Sequence, residues 1–271
     1  MKGFCPLSSG SKGNAIYLGT EKTKVLFDMG ISLRSLKERL ACIDVDVAEI
    51  DAVFVTHEHT DHIRGIEMLV KKYNTPIISN ADTAKAICQS IKVAPKCTIF
   101  STGQSFVYKD LKVHPFSIQH DTLDPVAFSV TYKDIKIGVC ADLGFVSQLV
   151  MHHLQGCHIL YIEANHEEEL VHACRRPMLY KQRVLSRQGH LSNTHCAHLL
   201  NAIYHDDLQY VYLAHLSSEC NRPKLALQTV GNFLENEGKS VHLTIAHQAK
   251  VSDPTYFGEG DRLERKVLHI H

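Results

Sequence analysis

The stretch VTHEHTDH, Val55 to His62, sets His57, His59, Asp61 and His62 within six residues. Imidazole nitrogen and carboxylate oxygen are donors that zinc takes, at about 2.0–2.2 Å. The preceding DAVFVT reads as a buried strand, and HIRGIEMLV carries Ile63, Ile66, Val70 and Tyr73 at helical spacing. HEHTDH is then the loop between them, where polar side chains can converge beyond a sheet edge. His57 and His59 share a parity and point the same way from an extended segment, so both can hold one metal. Asp61 and His62 are adjacent and cannot share that direction, but the turn into the helix can swing them toward a second ion. A plain helix start, with Asp61 favouring the positive N-terminal end, would account for any one of these residues. It does not account for their density.

The elements that must position this loop read as an α/β mixture. Strands are expected over 14–18, 24–28, 52–55, 77–79, 111–115, 127–132, 135–140, 158–163, 210–214 and 241–246, with a hairpin on Lys133-Asp134. Helices are expected over 35–40, 84–90, 146–154, 194–204 and 223–236, and Pro76 stops the helix that follows the histidine cluster. Runs of strands interspersed with helices predict two packed sheets flanked by helices, as a single domain over 1–271. At 44% hydrophobic and 21% charged residues the chain is neither disordered nor membrane-embedded in composition, and no apolar run approaches the roughly 20 residues of a membrane span. The opening MKGFCPLSSG breaks at Pro6 before any signal-like apolar region develops, so a cytoplasmic protein is expected. Nine cysteines without a CxxC pair predict reduced thiols, not a disulfide framework or zinc ribbon. Lysine plus arginine equals aspartate plus glutamate, 29 each, so attraction to a polyanion must be local.

THEHTDH resembles the signature of the metallo-β-lactamase superfamily, whose fold is an αββα sandwich around a two-metal site. VLFDMG before it supplies Asp28, and FSIQHD, GVCADLG and VYLAHLS after it supply His120, Asp142 and His215 in the order that family requires. The resemblance implies that His57, His59 and His120 hold one ion, that Asp61, His62 and His215 hold the other, and that Asp142 bridges them. Asp28 would orient a ligand from behind, a role whose loss typically costs about 10–100-fold. His59 stands where di-iron members have glutamate, which implies a hydrolytic dizinc site. No cysteine fills a ligand position, and Cys140 is at most an accessory. Further segments, LSSGSKGNAIYL, FDMGIS, FSIQHDTLDPVAFSV, YIEANHE, GHLSN and LAHLSSECNRP, are similar to the YycJ (WalJ) group of metallo-hydrolases over nearly the whole chain. That similarity implies a DNA exonuclease acting from 5′ ends. HEEELVHACRRP departs from the more acidic-apolar helix expected at that place.

Two ions about 3.5–4 Å apart can deprotonate a bridging water and neutralise a phosphoryl oxygen, so the expected reaction is phosphodiester hydrolysis by a metal-bridging hydroxide. Zinc is favoured by the histidine count, and manganese suits the carboxylates. Asp61 and His190 are the candidate catalytic residues, His190 as a donor to the substrate or leaving oxygen. In SSGSKGN, Ser9, Ser11 and Asn14 could contact a phosphate or simply form a turn. Ser192 and Asn193 are expected to cap a helix. Glu163, Asn165 and His166 are expected either at the mouth of the site or in buried hydrogen bonds. Arg175, Arg176, Lys181, Arg183 and Arg187 could form a phosphate track or a solvated face. His152, His153, His195, His198, His205, His247, His269 and His271 have no motif around them and are expected to be structural or exposed. DNA is the expected partner and a membrane is not. Two other readings are a hydrolase of small phosphodiesters, thioesters or lactones, and a metal-stabilised regulatory module without turnover.

Overall fold

The structure, a computed structural model, describes residues 1–258 and 263–265. One sheet begins with β1 (Gly3–Ser8), β2 (Ala15–Gly19), β3 (Lys24–Phe27), β4 (Ala52–Phe54), β5 (Ile77–Ser79) and β6 (Cys97–Ile99). The second comprises β7 (Phe106–Tyr108), β8 (Leu111–Ser117), β9 (Val126–Tyr132), β10 (Ile135–Cys140), β11 (Ile159–Glu163), β12 (Tyr210–Ala214) and β13 (His242–Ile245). The chain then returns to the first sheet as β14 (Thr255–Phe257) and β15 (Leu263–Arg265), giving the orders β15-β14-β1-β2-β3-β4-β5-β6 and β13-β12-β11-β10-β9-β8-β7.

The period-2 alternation of the strands builds the sandwich. Val25, Phe27, Ala52 and Phe54 of the first sheet meet Phe128, Val139, Tyr161 and Tyr212 of the second in one buried cluster between the sheets. Phe27, Phe54 and Phe128 touch one another there, with ring centroids 5.4–6.0 Å apart. The alternate residues face outward and are covered by helices. On the first sheet α1 (Leu33–Ala41), α2 (Thr60–Ile63), α3 (Ile66–Tyr73) and α4 (Ala81–Ser90) enclose Leu26, Val53 and Val55. On the second sheet α5 (Gln148–Leu154) joins a later helix pair. Before that pair come the short α6 (Glu168–Ala173) and α7 (Met178–Val184), which pack on each other through Val171, Val184 and Cys220. The pair itself, α8 (Asn193–Ile203) and α9 (Pro223–Asn236), covers Leu160, Ile162, Val211 and Leu213. This is the αββα architecture that the sequence predicts.

The differences are local. β1 is a strand although Pro6 lies in it, because a register shift between Pro6 and Ser8 removes the need for a donor there. β8 likewise runs through Pro115 to Ser117. The helix after the histidine cluster is broken at Gly65, where a Cβ would stand 2.1 Å from the Ile31 carbonyl oxygen. The hairpin on Lys133-Asp134 forms, with Lys133 at φ 50°. β6, β7, β14 and β15 are three-residue strands, too short for periodicity to register; α6 lies within HEEELVHACRRP, and α7 lies where no helix is expected. No helix among the described residues is long and apolar enough to cross a membrane.

The parallel strands decide where the chemistry sits. β3, β4, β5 and β6 are parallel, as are β10, β11, β12 and β13. In such sheets the carboxyl ends of the strands open into loops that hold ligands. Asp28 follows β3, the histidine loop follows β4, Asp142 follows β10, Glu163 ends β11 and His215 follows β12. At this edge three backbones meet without side chains between them: Asn14 N–H donates to the Asp61 carbonyl at 2.8 Å, and Gly30 N–H donates to Asn14 O at 2.8 Å. A Cβ on Gly30 would lie 1.6 Å from the Asp61 carbonyl oxygen. Gly30→Ala must therefore push the histidine loop away, at an overpacking cost of about 1–3 kcal/mol. Its melting midpoint, read in protein stripped of divalent ions, should fall by roughly 2–4 °C per kcal/mol. An unchanged midpoint would show that the contact yields freely.

Candidate metal centre

The ligating atoms of His57, His59 and His120 lie within 4.8 Å of one another, and so do those of Asp61, His62 and His215. A third group, His57, His62 and Asp142, takes one member from each and places Asp142 against both. The structure thus brings together all seven residues named from the sequence as ligands, from four separate segments that follow β4, β8, β10 and β12. His57, His62, His120, Asp142 and His215 are buried, while His59 and Asp61 are partly exposed.

Hydrogen bonds behind the rings set which nitrogen faces the cluster. His62 Nδ1 donates to Asp28 Oδ2 at 2.7 Å, and Asp28 also accepts from the Thr56 backbone N–H at 2.8 Å. His120 Nδ1 donates to the Gly189 carbonyl at 3.1 Å, and His57 Nδ1 pairs with the Thr56 hydroxyl at 2.9 Å. His215 Nδ1 lies 3.0 Å from Glu163 Oε1. In each ring Nε2 is left toward the interior, an arrangement that fixes tautomer and direction for metal binding.

The centre tests well as a cation site. His57 Nε2 and His215 Nε2 are buried and have no hydrogen-bond partner, a costly condition unless something positive or polar meets them. Burial pushes His57 well below its ordinary pKa, so it offers a lone pair at neutral pH. Burial also opposes charge on His62, yet Asp28 and Asp142 push it up to about 10. Against the penalty of their own burial, Asp142 is held well below the usual carboxylate range, chiefly by His215 and His62, and Glu163 is lowered to about 2, chiefly by His190. The carboxylates therefore stay ionised and draw positive charge into the centre.

The other residues singled out in the sequence fall into distinct places. His190 Nδ1 lies 2.8 Å from Glu163 Oε1, and its ring stacks on His215 with centroids 5.2 Å apart. Glu163 is fully buried and also accepts from the Leu143 backbone N–H at 2.6 Å, so it positions two histidines at once. Sequence reasoning left Glu163 between two roles because a glutamate closing the apolar strand ILYIE carries no spacing signal. Ser9 accepts from His215 N–H at 2.8 Å and bonds Tyr161 at 2.7 Å, while Asn14 Nδ2 lies 3.0 Å from His62 Nε2. Both side chains are engaged with the centre itself. Ser11, with no such bond, lines a hollow of about 150 Å³ together with Asn165, Arg183, His190 and His215. Asn165 Nδ2 donates to the His215 carbonyl at 2.6 Å, and His166 is buried beside it. Ser192 caps α8 through His195 N–H, but Asn193 does not: its amide is buried and bonded to Glu167 and Asn221.

The basic stretch is largely committed within the fold. Arg176 pairs with Glu219, Arg183 with Asp121, Lys181 donates to the His172 carbonyl, and Arg187 lies 3.9 Å over the Phe145 ring. Cys140 is buried in the helix-side core and joins none of the candidate metal groups among the described residues. Glu58 turns away and accepts from Leu123 N–H at 3.0 Å. His153 stacks on His114 and Phe116, His198 meets Phe233 edge to face, and His205 meets the Cys157 carbonyl, which are structural uses; His269 and His271 lie outside the described residues.

The family model of the beta-lactamase superfamily domain matches residues 23–215. An exodeoxyribonuclease YycJ of Bacillus anthracis is 32% identical over 240 residues, 88% of this chain and 91% of that protein. An exodeoxyribonuclease WalJ of Streptococcus pneumoniae serotype 2 is 34% identical over 233 residues, 84% of this chain and 86% of that protein. Among solved structures, the metallo-beta-lactamase fold protein YhfI from Bacillus subtilis superposes with a TM-score of 0.70 at 15% identity, over 92% of this chain and 97% of that one. The chain belongs to the beta-lactamase superfamily, in its YycJ/WalJ-like group of metal-dependent hydrolases.

Proposed function

We propose that this chain, as one cytoplasmic domain over 1–271, is a two-metal phosphodiesterase that removes nucleotides from DNA in the 5′-to-3′ direction. The observation that carries it is the placement of Asp142 against both histidine groups, which supports one centre for two cations. His57, His59 and His120 would hold one divalent ion, Asp61, His62 and His215 the other, with Asp142 between them. Zinc is favoured by the imidazoles, with manganese as the alternative. Ions bound there supply an acidified water and positive charge against a phosphoryl oxygen. The DNA reading and its direction rest on the likeness to YycJ and WalJ.

The chain's own residues then hold and move protons. Asp28 keeps His62 in the tautomer that presents Nε2. Asp61 brings negative charge to the rim of the centre. Glu163 accepts from His190 Nδ1, and in the imidazolium form of His190 the remaining Nε2–H would donate to the leaving oxygen in the hollow that also holds Asn165 and Arg183.

Two outcomes are expected. Elemental analysis after metal loading gives two ions per chain, and end-labelled single- and double-stranded DNA is shortened from its 5′ end. Asp142→Asn lowers the stoichiometry and abolishes turnover. One ion per folded parent chain, or near-normal turnover by Asp142→Asn at saturating metal, would sink the two-metal assignment.

His190→Ala is expected to lower kcat by about 100–10,000-fold with both ions retained. The deficit shrinks on a phosphodiester with an activated leaving group, which needs less help from an acid. Glu163→Gln reproduces part of the same pattern by loosening His190. Equal losses on poor and good leaving groups would assign His190 to electrostatic stabilisation instead.

A further inference from the structure

A second hollow, about 400 Å³, is lined by Ser8, Lys12, Ser32, Arg39, Arg64 and Gln248 among others. Three of its lining residues are cations and none is acidic. Among the described residues no carboxylate pairs with Lys12, Arg39 or Arg64, in contrast to Arg176 and Arg183 in the basic stretch. In a chain with 29 positive and 29 negative side chains this is a local excess of positive charge.

The cations are held in place. Arg39, half-buried, donates to the Leu7 carbonyl at 2.7 Å and the Gln248 carbonyl at 3.1 Å. Arg64 donates to the Lys12 carbonyl at 2.6 Å, and Lys12 N–H donates to Gln248 Oε1 at 2.8 Å. Each guanidinium spends one or two of its five donors on backbone oxygens and keeps others available. Arg64 is two residues beyond His62, and Lys12 adjoins Ser11, which lines the hollow against His190 and His215. One residue step, about 3.8 Å between Cα atoms, separates the walls of the two hollows. A third hollow of about 350 Å³ shares Ser11 with the hollow at His190 and His215, and Lys12 and Gln248 with the cationic one.

We propose that Lys12, Arg39 and Arg64 form a phosphate subsite that grips the sugar–phosphate backbone of a strand whose neighbouring phosphodiester lies at the metal centre. The inference rests on the nucleic-acid reading above and adds the place where the strand is held. Recognition there is of phosphate charge and not of base, so it acts on every sequence alike and weakens with salt. Arg39 also braces the loop, which makes Lys12 and Arg64 the informative positions.

The test is equilibrium binding of a fluorescein-labelled, phosphorothioate-linked short oligodeoxythymidine to the metal-loaded full chain across a range of salt concentrations. Each lost contact to a single strand reduces the salt slope of log K by about 0.7, so Lys12→Ala with Arg64→Ala reduces it by about 1.4. Lys12→Arg with Arg64→Lys restores it. Lys71→Ala with Lys85→Ala removes the same charge from exposed helix positions and leaves the slope as in the parent. An unchanged slope in the Lys12/Arg64 pair, or an equal fall in the Lys71/Lys85 pair, overturns the subsite. Cleavage of an ordinary oligodeoxynucleotide is scored separately. A parent that binds with the expected slope but never cuts DNA sinks the nuclease reading and leaves the subsite standing; one that cuts DNA while the Lys12/Arg64 variant binds unchanged sinks the subsite alone.

Discussion

Asp28, Asp142 and Glu163 put three carboxylates into an interior where each is at most 2% exposed, and much of the molecule follows from what they require. A buried anion is tolerable only when hydrogen bonds and opposite charge surround it. Backbone N–H groups of Thr56 and Leu143 supply the first, and His62, His190 and His215 supply the second. Those partners come from strands of both sheets, so the sheets must bring their carboxyl ends together. The aromatic contacts of Phe27, Phe54 and Phe128 lie just beneath this edge and fix the spacing between the layers.

The histidines can be divided by what stands behind them. Four of the five in the centre are backed by an oxygen, Asp28 behind His62, Gly189 behind His120, Thr56 behind His57 and Glu163 behind His215, whereas His59 Nδ1 faces His120. His153 and His198 instead lie against rings.

The fold and the centre were legible in the sequence to different degrees. Long alternating strands such as IKIGVC and the apolar run ILYIE are visible because periodicity accumulates over five or six residues. β6, β7, β14 and β15 have only three residues each and are defined by their neighbours in the sheet. His57 to His62 stand out by density alone. Asp28, His120, Asp142 and His215 are single residues at strand ends, and only a resemblance spread along the chain could connect them before the topology was known. Glu163 was ambiguous because its role depends on residues 27 and 52 positions away. Lys12, Arg39 and Arg64 were missed for the same reason: in the basic stretch that is contiguous in sequence Arg176 and Arg183 are paired with carboxylates, whereas these three cations, which no carboxylate pairs among the described residues, are scattered in sequence.

Asp28, Asp142 and His215 share a backbone oddity, with φ of 62°, 55° and 53° immediately after their strands. Left-handed conformation in a non-glycine residue costs on the order of 1 kcal/mol, and glycine would relieve it at each position. Three of the seven non-glycine residues in this conformation among the described residues are thus ones on which the centre depends, and a glycine that relieved the backbone there would delete a side chain of the centre.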